Sequence, residues 1–356
     1  GCAPEYLTEK TAPNIFRLAG ERGFFKTVQG AMPSVTNVNH AFILSGRWPA
    51  ETKVVGNYFY DRATGKEGFI EERGFMKAET ILQHVRKQGG KTALFTVLGV
   101  YGDGADIGIS AQTPEAALLS RYGLEAPPAI DSVEASEWIV KAAYRCIETD
   151  SPELLYCTTN DYIFHHFAPG AEEARAQIRA IDAYIEKIAE REPERQIYIT
   201  ADHGMNKKTR IVNFQTAAGR AGFDVYCLPP LKDRYVENHI YQEGGMLYVF
   251  LKDPSQAEAF RDFAAAQPYM EQVLTAGETA VRYHLPEGPI GDYVLLTEKD
   301  SAFGECSQEI LYTEKSRTHG SLYEREVPLL AMNPERGKEE YAYSKDIAAH
   351  LMGISC

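Results

Sequence analysis

The most chemically suggestive stretch of this chain is Thr200-Ala201-Asp202-His203-Gly204-Met205, which closes an apolar run over 196–200. A strand that ends in Asp-His-Gly delivers a carboxylate and an imidazole at its carboxyl end, where α/β sheets place their ligand sites. Gly204 lets the backbone turn away tightly. The plainer reading is an Asp-His pair capping the next segment. A second cluster, Thr158-Thr159-Asn160-Asp161-Tyr162-Ile163-Phe164-His165, again stands just past an apolar run, 154–158. Asp161 and His165 are four residues apart, so on one helical turn they face the same side and can share a metal ion, whereas His166 points elsewhere. The competing explanation is a helix N-cap at Asn160 or Asp161 with a solvent-facing His. Thr318-His319-Gly320 adds a third element ahead of the apolar run 327–332. The chain has nine histidines, and three separate Asp and His clusters, two of them at strand ends, make coincidence the weaker account.

A nucleophile candidate lies in Met32-Pro33-Ser34-Val35-Thr36-Asn37-Val38-Asn39-His40. Thr36 opens a helical pattern running to residue 45, where backbone N–H groups and the helix dipole favour an anion. Alone, its hydroxyl reads equally well as an ordinary N-cap. Beside a metal its pKa would fall, and no separate general base would be needed.

Together these segments resemble the alkaline phosphatase superfamily, in particular its type I phosphodiesterase/nucleotide pyrophosphatase branch, and within it phosphonoacetate hydrolase most of all. The resemblance runs from Gly1 to about Asn333 and is carried by the segment from Pro33 to Asn39 with the Ser-Gly-Arg-Trp-Pro that follows, by Gly56-Asn57-Tyr58-Phe59-Tyr60-Asp61, and by the block around Asp161 and His165. It implies that Asp161, His165 and His319 hold one divalent metal ion and that Asp202, His203 and Thr36 hold the other, zinc being the expected ion, with manganese or iron also compatible with such ligands. It implies that Asn57 donates to a phosphoryl oxygen, and that a further Asp ligand ends a first strand that would precede Gly1. Attack by Thr36 on a small anionic phosphorus substrate would give a phosphothreonine, then hydrolysis. A carboxylate-bearing leaving group needs nearby cations, and Val97-Leu98-Gly99-Val100 provides none where relatives carry lysines. Lys207, Lys208 and Arg210 are candidates for that part, or simply a solvated basic loop. A phosphodiesterase or nucleotide pyrophosphatase, with Tyr58 and Tyr162 flanking a planar group, is the alternative; a non-catalytic metal-binding relative is the third reading.

The elements that must position these groups alternate short apolar runs with helical patterns, the signature of a mostly parallel sheet flanked by helices. Strands are predicted at 92–97, 154–158, 196–200, 246–251, 293–296 and 327–332, and helices at 78–87, 132–148, 171–190, 212–221, 254–266 and 344–352. Between 206 and 317 the pattern loosens around Pro229-Pro230, Gly244-Gly245 and Gly288-Pro289. The expected fold is therefore α/β, alkaline phosphatase-like, with a metallohydrolase core at 1–205 and 318–356 and a smaller inserted α+β subdomain at 206–317. A net charge of -13, from 37 basic and 50 acidic residues, argues against nucleic-acid polymers and anionic membranes. No apolar run reaches membrane-spanning length. Six scattered cysteines fit reduced thiols and a cytoplasmic location. A homodimer is left open.

Overall fold

A computed structural model describes residues 1–70, 74–96, 103–232 and 243–355. The 97–100 stretch singled out above lies outside them. The chain is α/β, with a parallel sheet and flanking helices. Strand Thr92–Thr96 is its centre, paired in parallel with Ile107–Ser110 on one side and Leu154–Cys157 on the other. All five residues of Thr92–Thr96 are buried, as expected for a strand covered on both faces. On one face lies helix Val133–Asp150, whose Ala135, Ile139, Ala142, Ala143 and Cys146 are buried at helical spacing. It packs Ile139 and Cys146 into a cluster with Ala93 and Phe95, each fully buried large side chain contributing about 1.5–3 kcal/mol.

The second half of the core is antiparallel. Glu326–Met332 is its centre, flanked by Gly23–Gln29 and Ile197–Thr200. Its run from Val327 to Met332 is wholly buried. Gly23–Gln29 was not predicted: only its second and sixth residues, Phe24 and Val28, are buried, too sparse a pattern to stand out. Leu154–Cys157 and Ile197–Thr200 are the facing edges of the two halves; among the described residues neither is paired on that side, and a cleft of about 870 Å³ runs between them.

Residues 206–318 build two further sheets. Asn206–Val212 pairs with Ser301–Phe303 and Ile310–Thr318, and an antiparallel sheet runs in the order Met270–Thr275, Tyr293–Thr297, Met246–Leu251, Val225–Leu228. Gly245 brings this second sheet against the His319 loop: its N–H donates to the His319 carbonyl at 3.1 Å, and a Cβ on it would meet the Ser321 Cβ at 2.3 Å. Only glycine permits that approach.

Candidate metal centre and phosphoryl site

Thr36 is the first residue of helix Thr36–Ser45. The cap position belongs to Val35, which offers no side-chain cap, so the hydroxyl is not spent on capping. Buried Asn39 fixes the approach to the helix, since its Oδ1 accepts from the Ala31 N–H at 2.7 Å and its Nδ2 donates to the Pro33 and Val35 carbonyls. The Thr36 Oγ1 then stands 3.3 Å from His203 Nε2.

Asp202 and His203 follow strand Ile197–Thr200, as the sequence suggested, and the Asp202 Oδ2 lies 3.2 Å from His203 Nε2. Asp161 occupies the cap position of the short helix Tyr162–His166 but makes no capping bond; Asn160 Oδ1 takes that part, accepting from the Tyr162 N–H at 2.9 Å. The Asp161 carboxylate is turned instead to His165 Nε2 at 3.4 Å and to His203 Nε2 at 3.9 Å. Asp161, His165 and His319 form a compact group whose ligand atoms all lie within 4.8 Å of one another. The His203 and His319 rings stack at 3.5 Å and 8°. The structure thus brings Asp161, His165, His319, Asp202, His203 and Thr36 into one place, the second trio being the looser one.

Each histidine is oriented through its other nitrogen. Nδ1 of His165 faces the Arg317 carbonyl at 3.0 Å, that of His203 faces the Gly204 carbonyl at 2.9 Å, and that of His319 faces the Ser34 carbonyl at 2.7 Å. A carbonyl only accepts, so in the neutral ring the proton sits on Nδ1 and the Nε2 lone pair points inward. Lone pairs and carboxylate oxygens converge, which is stable only with positive charge among them.

Burial alone would raise the Asp161 carboxyl, but His165 and, behind it, His203 hold it well below the carboxylate range. The same contest, won by His203 and His40, keeps Asp202 ionised. Burial and then the neighbouring imidazoles push His319 far down, so it stays neutral, the form that ligates. The nitrogen and carboxylate donor set therefore fits divalent metal ions.

Asn57 lies beside Thr36: its Oδ1 accepts from the Asn37 N–H at 3.0 Å, and its Nδ2 donates to the Leu231 carbonyl at 3.1 Å. A primary amide has two N–H groups, so one remains for a ligand. Lys207, Lys208 and Arg210 do not belong here. They lie on strand Asn206–Val212, not a loop; Lys208 is fully buried against Glu324 at 2.9 Å, Arg210 pairs with Glu298, and Lys207 is exposed. Tyr58 packs edge-on against Phe69, and Tyr162 lies tilted on His166. One site residue went unassigned from sequence, His40. It stands four residues after Thr36 on the same helix, a spacing that puts both on one face, and is taken up below.

Residues 1–322 match the family model described as type I phosphodiesterase/nucleotide pyrophosphatase. The chain belongs to this family. Within it, the solved phosphonoacetate hydrolase of Sinorhizobium meliloti 1021 superimposes with a TM-score of 0.88 in its complex with phosphonoacetate, at 27% identity, covering 100% of this chain and 94% of that one. The complex with phosphonoformate gives 0.87 at 26% identity with the same coverage. Murine ectonucleotide pyrophosphatase/phosphodiesterase 5 shares the fold, with a TM-score of 0.69 at 16% identity over 100% of this chain and 93% of that one. An uncharacterized pyrophosphatase/phosphodiesterase of Schizosaccharomyces pombe is 23% identical over 231 residues, 58% of this chain, which spans 43% of that relative's length. Family and phosphonoacetate hydrolase match together support a hydrolase acting on phosphoesters or phosphonates.

Proposed function

We propose that the chain is a two-metal hydrolase of a small anionic phosphorus substrate that works through a phosphothreonine and cleaves a carbon–phosphorus bond. The observation that carries this reading is the Thr36 hydroxyl at a helix N-terminus, 3.3 Å from His203 Nε2, beside converging carboxylates and inward-facing imidazoles. Asp161, His165 and His319 would hold one ion, and Asp202, His203 and Thr36 the other, with zinc the expected metal. When bound, the ions supply Lewis-acid charge that lowers the Thr36 pKa and offsets charge on the phosphoryl group.

Thr36 Oγ attacks phosphorus and gives its proton to water; the phosphorus–carbon bond breaks, and the leaving carbon keeps the electron pair and takes up a proton through that water, so protons balance. A water oxygen then attacks phosphorus, the Oγ–phosphorus bond breaks, and Thr36 regains its proton as phosphate leaves. Asn57, held by Asn37 and Leu231, keeps one N–H for the phosphoryl oxygen on which charge grows. Lys232, whose ammonium lies 4.8 Å over the Tyr58 ring, is a cation available to the leaving carboxylate. Residues 206–317 would form a subdomain that supplies Leu231 and Lys232 to this side of the site.

The deciding assay sets zinc-loaded protein against phosphonoacetate and a nitrophenyl phosphodiester side by side. Phosphate with acetate from the first is the expected result. Nitrophenol release alone would move the assignment to a phosphodiesterase, and no product from either would reject catalysis.

A further inference from the structure

A fourth, half-buried histidine adjoins the cluster without a part in the chemistry above. His40 lines the cleft with Thr36, Tyr156 and Asp202. Its ring nitrogens have different neighbours: Nδ1 is 2.7 Å from the Tyr156 hydroxyl, and Nε2 is 3.7 Å from Asp202 Oδ2. That same Oδ2 is the atom facing His203 Nε2, while Oδ1 accepts from the His203 N–H at 3.0 Å.

The protonation pattern follows from what each partner can do. A carboxylate only accepts, so a neutral imidazole rests against it stably when Nε2 carries the hydrogen. Nδ1 is then a bare lone pair, and the Tyr156 O–H is its donor. The reverse tautomer would set a lone pair against a carboxylate oxygen. At 3.7 Å the His40–Asp202 contact is electrostatic and too long for a hydrogen bond. What it biases is the rotation of the carboxylate about its last bond.

We propose that His40 is a positioning residue: Tyr156 fixes its tautomer, and its Nε2–H steers Asp202 Oδ2 toward the ion shared with His203 and Thr36. This rests on the assignment of Asp202 as a ligand under Proposed function. The tyrosine acts two steps from the metal, through the imidazole and the carboxylate, so removing one phenolic oxygen should be felt in metal binding at one site only.

The test uses the full chain with histidines labelled by nitrogen-15, comparing wild type, Tyr156→Phe, His40→Phe and Asp202→Asn. In Tyr156→Phe the His40 nitrogen shifts are expected to report loss of the Nε2–H tautomer. Zinc titration is expected to show the weaker-held ion bound about tenfold less tightly, within the range that outer partners of a ligand usually command, with the tighter ion unchanged. His40→Phe should match or exceed that loss, and thermal melts check that each variant is folded. Unchanged tautomer and unchanged zinc affinity in Tyr156→Phe overturn the proposal, as does equal weakening of both ions. Loss of an ion in Asp202→Asn alone would refute the role of His40 while sparing the site. No loss in Asp202→Asn would bring down both.

Discussion

A partly buried charged cluster includes His319 and a fully buried one includes Glu324, near the two ends of the Thr318–Glu324 segment, and they differ in one respect. At the first, the carboxylates of Asp161 and Asp202 and three imidazoles converge, with the Nε2 lone pairs turned inward. At the second, Glu324 is satisfied completely: Oε1 accepts from Lys208 at 2.9 Å and Asn206 at 2.8 Å, while Oε2 accepts from the N–H and hydroxyl of Ser321 at 2.8 and 2.5 Å. Burial would raise this carboxyl too, but Lys208 and Ser321 hold it down. A buried cluster that neutralises itself is architecture, and one left with converging donors calls for a ligand. The two are linked, because Ser321 accepts through its carbonyl from Ser34 Oγ at 2.7 Å and Ser34 in turn orients His319.

The largest effect should come from the first cluster. Thr36→Ala is expected to lower turnover by on the order of 10⁴-fold or more, the scale seen when a nucleophile is removed, while the thermal melt moves little; near-normal turnover would remove Thr36 as nucleophile. Asp161→Asn should next cost the ion shared with His165 and His319, visible as reduced zinc content by elemental analysis, and unchanged stoichiometry would reject that ligand set. At the second cluster the effect should be on stability. Glu324→Gln leaves Lys208 buried without its counter-charge and should cost about 3 kcal/mol in denaturant unfolding, whereas a Lys208→Met, Glu324→Leu pair should recover most of it. Lowered activity in Glu324→Gln with no change in stability would show that this cluster serves the site rather than the architecture.

The smallest effect concerns an acid of neither kind. Glu243 is buried, its Oε1 without a hydrogen-bond partner among the described residues, and burial first, then Glu305, pushes its pKa from 4.5 to about 8 against the pull of Lys232. Because the folded value is the higher, its contribution is fully present below about 4.5 and is lost as pH rises toward about 8. Glu243→Gln should therefore flatten the stability profile between those values, measured by unfolding at each pH; an unaltered slope would show that Glu243 ionises normally.

The elements carrying the site were legible wherever apolar runs were dense. Tyr293–Thr297, Met246–Leu251 and Glu326–Met332 begin or end within a residue of the predicted limits, because a strand buried on both faces writes its burial directly into sequence. Helices Val133–Asp150 and Glu172–Arg191 showed through in the same way. The Lys-Lys-Thr-Arg core of strand Asn206–Val212 looks solvated in sequence; the Glu324 carboxylate, 116 residues away, and the Lys299 carbonyl make burying Lys208 tolerable. His40 was passed over because a lone helical histidine has no meaning until Tyr156 and Asp202 stand beside it.

The sequence by itself determined which residue types were available for chemistry, the α/β class, and the strand ends that present Asp202 and the segment leading to Asp161. Only the tertiary structure decided which charges close on themselves and which converge on a common point, since that depends on contacts between segments more than a hundred residues apart. Local spacing constrains a helical turn or a strand end, but the balance between burial and counter-charge is set by whichever distant side chain the fold brings alongside.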